Sequence, residues 1–397
     1  MIKFLRSSLY LAVCLTPLVV QAESAQDGFA FTGSGFATIG AGHIVSGTPG
    51  FISGKQCPCF VPDFAQEDVY HSGAGYVQIA PSTKLGLQGT VTHTDSRFAI
   101  TTQVILRDID SPHATLELLF ASYPVSDSLT LHVGRKRIPL FYYSDVQDVG
   151  FALPWTHLPP QLYGWEAVNY NGISVQHVAQ LGEWDVVTNL LAGKEHVTNS
   201  GYWAIYNGEV SKTNVQWNHL VGGNITLHQS WFEGRMAYIQ SDTSRVARNG
   251  VINPLTQTLQ AATDPFLLGQ ITQQRIYTSA LNFDFESWVL LGELLYIDRP
   301  GATFNDFADR IGITHRMDDW EFSVGISEYI GKANTAAGGD PQGQEHHLNR
   351  ALTVRRFLTA NSDLKAQFDS QHDLGGIHWQ PKFGDVSLLS LAYDRVF

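Results

Sequence analysis

Side chains that alternate between apolar and polar at every second position restrict the fold of this chain more than any other feature. Residues 320–327 alternate without a break, from Trp320 to Ser327. Residues 84–94, 98–107, 307–316 and 364–373 repeat the pattern. A period of two is that of a β-strand with one apolar and one polar face. Because almost no segment has a helical period, the sequence predicts an all-β protein.

The length of these runs and the segments between them indicate which kind of β protein it is. Several runs last roughly ten residues, which is the length of a tilted membrane strand, whereas soluble strands average about 5–6. Short polar turns are predicted at 94–96, 126–128, 181–183, 221–224, 286–287, 317–319 and 361–363, and longer segments at 43–81, 139–171, 241–274 and 334–346. Aromatic residues near the strand ends are Trp184, Trp203, Trp231, Trp288, Trp320 and Tyr329. Short turns on one rim, long loops on the other and aromatic girdles predict a transmembrane antiparallel β-barrel.

About sixteen strands are expected. They are predicted at 28–42, 83–94, 97–108, 114–124, 127–138, 171–181, 184–195, 202–219, 224–240, 274–286, 288–299, 306–317, 319–331, 346–360, 363–380 and 385–397. A barrel of this size is wide enough to enclose water. It must be closed, because an open sheet edge in lipid would leave backbone groups unpaired.

The amino terminus predicts export. Lys3 and Arg6 precede an apolar run from Leu9 to Val20 and a small-residue cleavage site, so residues 1–22 are expected to be a signal peptide. The mature barrel is then 23–397. Because Lys3 and Arg6 are removed with the signal peptide, 23 of the 25 Lys and Arg residues remain against 37 Asp and Glu residues, which gives a net charge of −14. This acidic balance argues against a nucleic-acid partner. No later stretch is apolar over 18 residues, which excludes transmembrane helices.

The last strand and several short motifs resemble the general porin superfamily of Gram-negative outer membranes. Alternating apolar residues ending in Tyr393 and Phe397 are similar to the assembly signal of those proteins, although Arg395 departs from it. The Gly-rich segment 29–42 and residues 84–89 are similar to the first two porin strands, and residues 131–135 are similar to the porin segment ahead of a long loop. The resemblance implies an outer-membrane location, a homotrimer, contact with lipid, lipopolysaccharide and the assembly machinery, and passage of small hydrophilic solutes.

In that family the third loop folds into the barrel and narrows the pore. The matching segment here is 138–170, with the carboxylates Asp145, Asp148 and Glu166. Several basic residues stand at strand positions whose side chains alternation turns into the barrel, where they would face these carboxylates. They are Lys84, Arg107, Arg310, Arg316 and Arg355 or Arg356. A ring of charges in a narrow passage selects solutes by charge and size. Alternatively, these bases form salt bridges with Glu117, Glu293 or Glu321 that only fill the lumen.

Arg135, Lys136 and Arg137 form the densest basic cluster, at the beginning of that loop. Strict alternation would turn Arg135 and Arg137 toward lipid, unless a bulge at Gly134 resets the parity. Without the bulge, Lys136 alone would line the pore; alternatively, the strand ends there and all three bases lie on the rim. We expect them to line the pore.

Cys57 and Cys59 lie in the segment 43–81, which the topology places outside the cell. Three interpretations remain open: a local disulfide, a soft-metal site with His43 or His71, or a bridge to another chain. No motif for nucleophilic catalysis, phosphate binding or a cofactor is present.

We therefore expect a porin that allows passive diffusion, with neither enzymatic activity nor a cofactor. The alternatives are an anion- or organic-acid-specific channel of the same fold, a plugged structural barrel, and an outer-membrane hydrolase.

Overall fold

The structure is a computed structural model of the chain, and it describes most of the predicted mature protein. The described residues are 28–52, 55–66, 68–74, 77–108, 112–206, 212–247, 251–252, 259–260, 267–378 and 384–397. The predicted signal peptide, 1–22, lies outside the described residues.

The predicted barrel is confirmed: sixteen antiparallel strands form one closed sheet in which each strand pairs with its neighbours in sequence. The strands are β1 Phe29–Gly47, β2 Lys84–His93, β3 Ala99–Arg107, β4 His113–Pro124, β5 Leu129–Arg137, β6 Asn169–Leu181, β7 Trp184–Ser200, β8 Thr213–Gln229, β9 Phe232–Ala247, β10 Thr272–Phe285, β11 Trp288–Asp298, β12 Phe304–Met317, β13 Trp320–Ala333, β14 Glu345–Thr359, β15 Ser362–Asp373 and β16 Val386–Val396. The first and last strands pair from Phe36–Val396 to Gly47–Val386, which removes both sheet edges.

Short elements lie outside the wall. Hairpin strands are Gly50–Ile52 with Lys55–Cys57, Cys59–Asp63 with Asp68–His71, and Val251–Ile252 with Leu259–Gln260. The α-helices are α1 Pro160–Tyr163 and α2 Tyr202–Tyr206, and 3₁₀ turns are Ser72–Ala74, Ser144–Val146, Gly150–Ala152, Thr335–Ala337 and Pro341–Gly343. Among the described residues, the helices are too short or too polar to cross a bilayer.

The outer face of the wall carries two aromatic bands with apolar residues between them. Near the short turns, Trp231, Phe283 and Phe285 stack with ring centroids 6.0–6.3 Å apart. Toward the long loops, Tyr238, Tyr277 and Tyr296 lie side by side on β9, β10 and β11. Exposed residues between the bands include Met236, Leu281 and Leu294. An apolar outer band flanked by aromatic girdles is the surface of a membrane-spanning barrel.

One predicted turn is wrong. Residues 221–224 were expected to connect two strands, but they lie inside β8, and the turn is at Ser230 and Trp231. The two glycines of this segment serve close packing instead, because a Cβ at Gly223 would lie 2.0 Å from the Asn189 carbonyl oxygen. Gly222, at φ +154°, is equally close to the Tyr238 carbonyl. The register also shifts just before them, between Asn218 and Val221.

Two further predicted boundaries are corrected. The segment 202–219 begins with the helix α2, whose Tyr202 and Ile205 are buried, and only its second half is strand. The strand predicted at 363–380 ends at Asp373, where the chain leaves the wall for the loop before β16. Both errors arise because alternation of side chains does not show whether a segment has a strand beside it to pair with.

Candidate functional site

The inward-folded third loop is confirmed: residues 138–168, between β5 and β6, lie inside the barrel, and we call them the inner loop. Its apolar side chains pack against buried wall residues of β7 to β12. This cluster contains Ile138, Leu140, Phe141, Leu153, Trp155, Leu158, Leu162, Tyr163, Trp165 and Ala167 from the loop, and Leu191, Val215, Trp217, Leu220, Ile239, Ile276, Leu291, Leu295, Ile297 and Ala308 from the wall. Burial of so many apolar groups holds the loop across the lumen.

The opposite side of the inner loop carries a buried charge cluster around Asp148. Its carboxylate accepts a hydrogen bond from Arg107 at 2.7 Å and another from Arg137, and Lys84 Nζ lies 3.7 Å away. Glu117 completes the cluster, 2.9 Å from Arg107 and 3.2 Å from Arg137. Burial alone would raise the pKa of Asp148, but Arg107 and Arg137 hold this pKa well below its ordinary value.

Glu117 reaches this cluster because it is an extra residue in β4. Gln103 pairs with Leu118 and Val104 with Leu116, so Glu117 has no opposite partner on β3. The bulge considered at Gly134 is absent, because the pairing of β5 runs without a break through it. A break in alternation at 116–119 was the signal in the sequence that could have located the bulge.

The three bases at the beginning of the inner loop have different partners. Arg137 is buried against Asp148 and Glu117. Arg135 binds both carboxylate oxygens of Glu195, at 2.8 and 2.9 Å, and Lys136 lies over the ring of Phe120. Of the three, Arg137 thus belongs to the charge cluster.

Glu166 anchors the far end of the inner loop. It forms an ion pair with Arg245 of β9 and accepts hydrogen bonds from the indole nitrogens of Trp203, at 2.5 Å, and Trp217, at 3.0 Å. Burial opposes ionisation, but these partners lower the pKa of Glu166 below its ordinary value. Arg245, Trp203 and Trp217 were not identified from the sequence as partners of this carboxylate.

Arg310 lies beneath the middle of the inner loop. Its guanidinium is 3.3 Å from Glu293 and 3.9 Å from the centre of the Trp155 ring. Glu293 in turn accepts hydrogen bonds from the Tyr142 amide and the Tyr163 hydroxyl. This is an ion pair shared between the wall and the loop.

Arg316 belongs to a second, longer row of charges on the inner wall. It binds Asp284 at 2.8 Å and Glu321 at 3.3 Å. The row continues through Arg355, Asp363, Lys365 and Asp394 on β14, β15 and β16. Arg355 and Lys365 also donate to the inner-loop carbonyls of Phe151 and Gly150, at 2.5 and 2.6 Å. Arg356, the other candidate, lies over the Trp320 ring.

The remaining predicted site residues lie apart from these clusters. Asp145 is exposed on the inner loop, three residues from the buried Asp148. Cys57 and Cys59 form a disulfide with each other. Tyr393 is on β16, and Phe397 pairs its backbone with Gly35 at 2.7 and 2.9 Å. Among the described residues there is no group of three or more His, Cys, Asp or Glu that could hold a metal ion.

Comparison with known proteins identifies the fold. No family model matches the chain. No curated protein matches it in sequence. Among solved structures, it is similar to OmpT, an outer membrane protein of Vibrio cholerae in its trimer form (TM-score 0.56, 10% identity, 94% of this chain and 100% of that one).

Two further solved structures, both of porins, have a similar fold. An anion-selective porin from Comamonas acidovorans has a TM-score of 0.56 at 11% identity, over 93% of this chain and 100% of its own. Salmonella typhi OmpF in complex with daunomycin has a TM-score of 0.55 at 11% identity, over 94% and 98%. The chain therefore has the sixteen-stranded fold found in Gram-negative outer-membrane porins.

Proposed function

We propose that this protein is an outer-membrane porin, through which small hydrophilic solutes and ions diffuse passively. A closed barrel with an apolar outer band has no stable place in water, and its fold is shared with outer-membrane porins. A predicted signal peptide, and the similarity of Tyr393 and Phe397 to the assembly signal of outer-membrane proteins, support export and assembly in that membrane.

The observation that carries this proposal is the cluster of opposed charges at Asp148. One carboxylate of the inner loop contacts three bases of the wall, Lys84, Arg107 and Arg137. Fixed charges in a narrow passage act strongly on an ion that has lost part of its hydration shell. We infer that this cluster and the Glu293–Arg310 pair discriminate among solutes by charge and size.

We further propose that Arg135 and Lys136 act at the rim of the passage, and that Arg316 acts within the row of charges below the inner loop. Glu166 would hold the loop in position rather than contact solutes, because its carboxylate is already bonded to Arg245 and to two tryptophans. A homotrimer is proposed from the fold, since the similar OmpT is described in a trimer form. Lipid and lipopolysaccharide would contact the outer band.

Planar-bilayer conductance of the refolded mature protein, measured in asymmetric salt, tests the proposal. We expect a linear current with a measurable reversal potential, together with passage of small neutral solutes. Block by one organic anion would favour the specific channel instead. No current from correctly folded protein would refute diffusion and favour a plugged barrel.

A further inference from the structure

The loop between β1 and β2, as described at 48–52, 55–66, 68–74 and 77–83, crosses the mouth of the barrel, and we call it the mouth loop. Its hairpin residues Cys57, Cys59, Val61 and Val69 form one buried apolar cluster with Ile205 of helix α2. That helix belongs to the loop between β7 and β8, six of sixteen positions away around the barrel. Contact between two loops so far apart requires that they meet over the lumen.

The mouth loop is also fixed to the wall beneath it. Phe60 and Tyr70 are fully buried against Val386 and Leu388 of β16. The Tyr70 hydroxyl donates to the Pro81 carbonyl at 2.9 Å. These contacts place the Cys59–Asp63 hairpin in a defined position.

This hairpin rests on the inner loop. The Phe60 ring lies 5.2 Å from the ring of His157 at the tip of the inner loop, and a Cβ at Gly164 would lie 2.8 Å from Phe64. The two loops therefore form successive layers between the outside and the lumen.

Two carboxylates of the mouth loop lie above the charge cluster of the inner loop. Asp63 and Asp68 are paired across the hairpin, and both interact electrostatically with Lys84 and Arg107. The Asp63 carboxylate accepts hydrogen bonds from the amides of Ala65, at 2.9 Å, and Gln66, at 3.1 Å. Neither carboxylate was a candidate from the sequence.

These two carboxylates change the sign of the local charge. The charge cluster has one positive charge in excess, because it contains three bases and two carboxylates. These are Lys84, Arg107 and Arg137, and Glu117 and Asp148. Where both are ionised, which for Asp68 requires a pH above its raised pKa of about 7, Asp63 and Asp68 turn that excess into one negative charge. A permeating ion would meet their field before it reaches Asp148.

From this geometry we propose that the mouth loop is a second constriction, whose carboxylates Asp63 and Asp68 determine the charge selectivity of the pore. The contact with Ile205 holds it across the lumen. This inference rests on the proposed channel function and assigns specificity to residues outside the inner loop.

The test compares Asp63→Asn/Asp68→Asn with the unsubstituted protein in a potassium chloride gradient, at a pH above the raised pKa of Asp68. Because asparagine keeps the size of aspartate, we expect the barrel to be retained and the cation-to-anion permeability ratio to fall by about threefold. The matched control is Asp340→Asn/Asp385→Asn, which removes the same charge from the exposed, extracellular loops. If the double variant does not fold, each single substitution is measured, and each should give part of the fall.

An unchanged permeability ratio in a folded, conducting variant would overturn this inference and leave the channel proposal intact. Absence of conductance in the unsubstituted protein would overturn the channel proposal itself.

A second measurement tests the contact with α2. Ile205→Asp should increase conductance and admit larger neutral sugars, because a buried charge would separate the two loops. Ile377→Asp makes the same change on a loop side chain that is 83% exposed, and should have no effect. Equal conductance in both variants would show that the mouth loop does not narrow the pore.

Discussion

Replacement of Asp148 by asparagine is the most direct test of the inner-loop charge cluster. The carboxylate is buried and contacts Arg107 and Arg137, with Lys84 at 3.7 Å. Removing one partner of a buried ion pair costs about 3–5 kcal/mol, and asparagine, which still hydrogen-bonds, should cost about 3 kcal/mol. A loss of about 3 kcal/mol should increase the fraction of molecules whose inner loop is detached from the wall, by a factor on the order of 100.

Two results should follow from Asp148→Asn. The net charge of the five-residue cluster rises by one, so the reversal potential in asymmetric salt should shift toward anions. The loosened loop should also make single-channel current noisier. Because the pKa of Asp148 is held below its ordinary value, the unsubstituted protein should keep this attachment as the pH falls below the pKa of a free aspartate, and lose it only in stronger acid.

Asp145→Asn is the matched control, since it makes the same charge change three residues away on an exposed side chain. If Asp148→Asn keeps the reversal potential and the current noise of the unsubstituted protein, the buried cluster does not act on permeating ions.

Three further predictions concern anchoring, pH and assembly. Glu166→Gln breaks the buried pair with Arg245 and should lower the thermal unfolding midpoint, whereas Glu183→Gln on an exposed turn should not. Burial, with the charge of Asp63 added, raises the pKa of Asp68 to about 7. The packing of the mouth loop on the barrel is therefore more stable at low pH and less stable above pH 7. Cation selectivity should rise as the pH increases through 7 in the unsubstituted protein, because Asp68 ionises, but not in Asp68→Asn. Deletion of Phe397 removes two backbone hydrogen bonds to β1 and should reduce the yield of assembled barrel, measured by its heat-modifiable migration in gels; an unchanged yield would show that these bonds and the terminal aromatic are dispensable.

The sequence by itself determined the wall of this protein. Alternation is a local property of each strand, so it could be read without knowledge of the neighbouring strands. It correctly predicted a closed antiparallel barrel of sixteen strands, whereas the inward-folded third loop was implied by the resemblance to the general porins. Alternation also predicted that the side chains of Arg107 and Arg310 point into the barrel, where they contact the inner loop.

Only the tertiary structure decided which polar groups meet. Asp145 and Asp148 are equivalent in sequence, yet one is exposed and the other buried against three bases, because the path of the loop turns only one of them to the wall. The break in alternation at 116–119 could have located the extra residue Glu117. Its contacts with Arg107 and Arg137, like the packing of the glycines at 222–223, depend on the register between strands, which alternation does not specify. The mouth loop reaches Ile205 across the barrel, and a contact between segments so distant in sequence exists only once the sheet has closed.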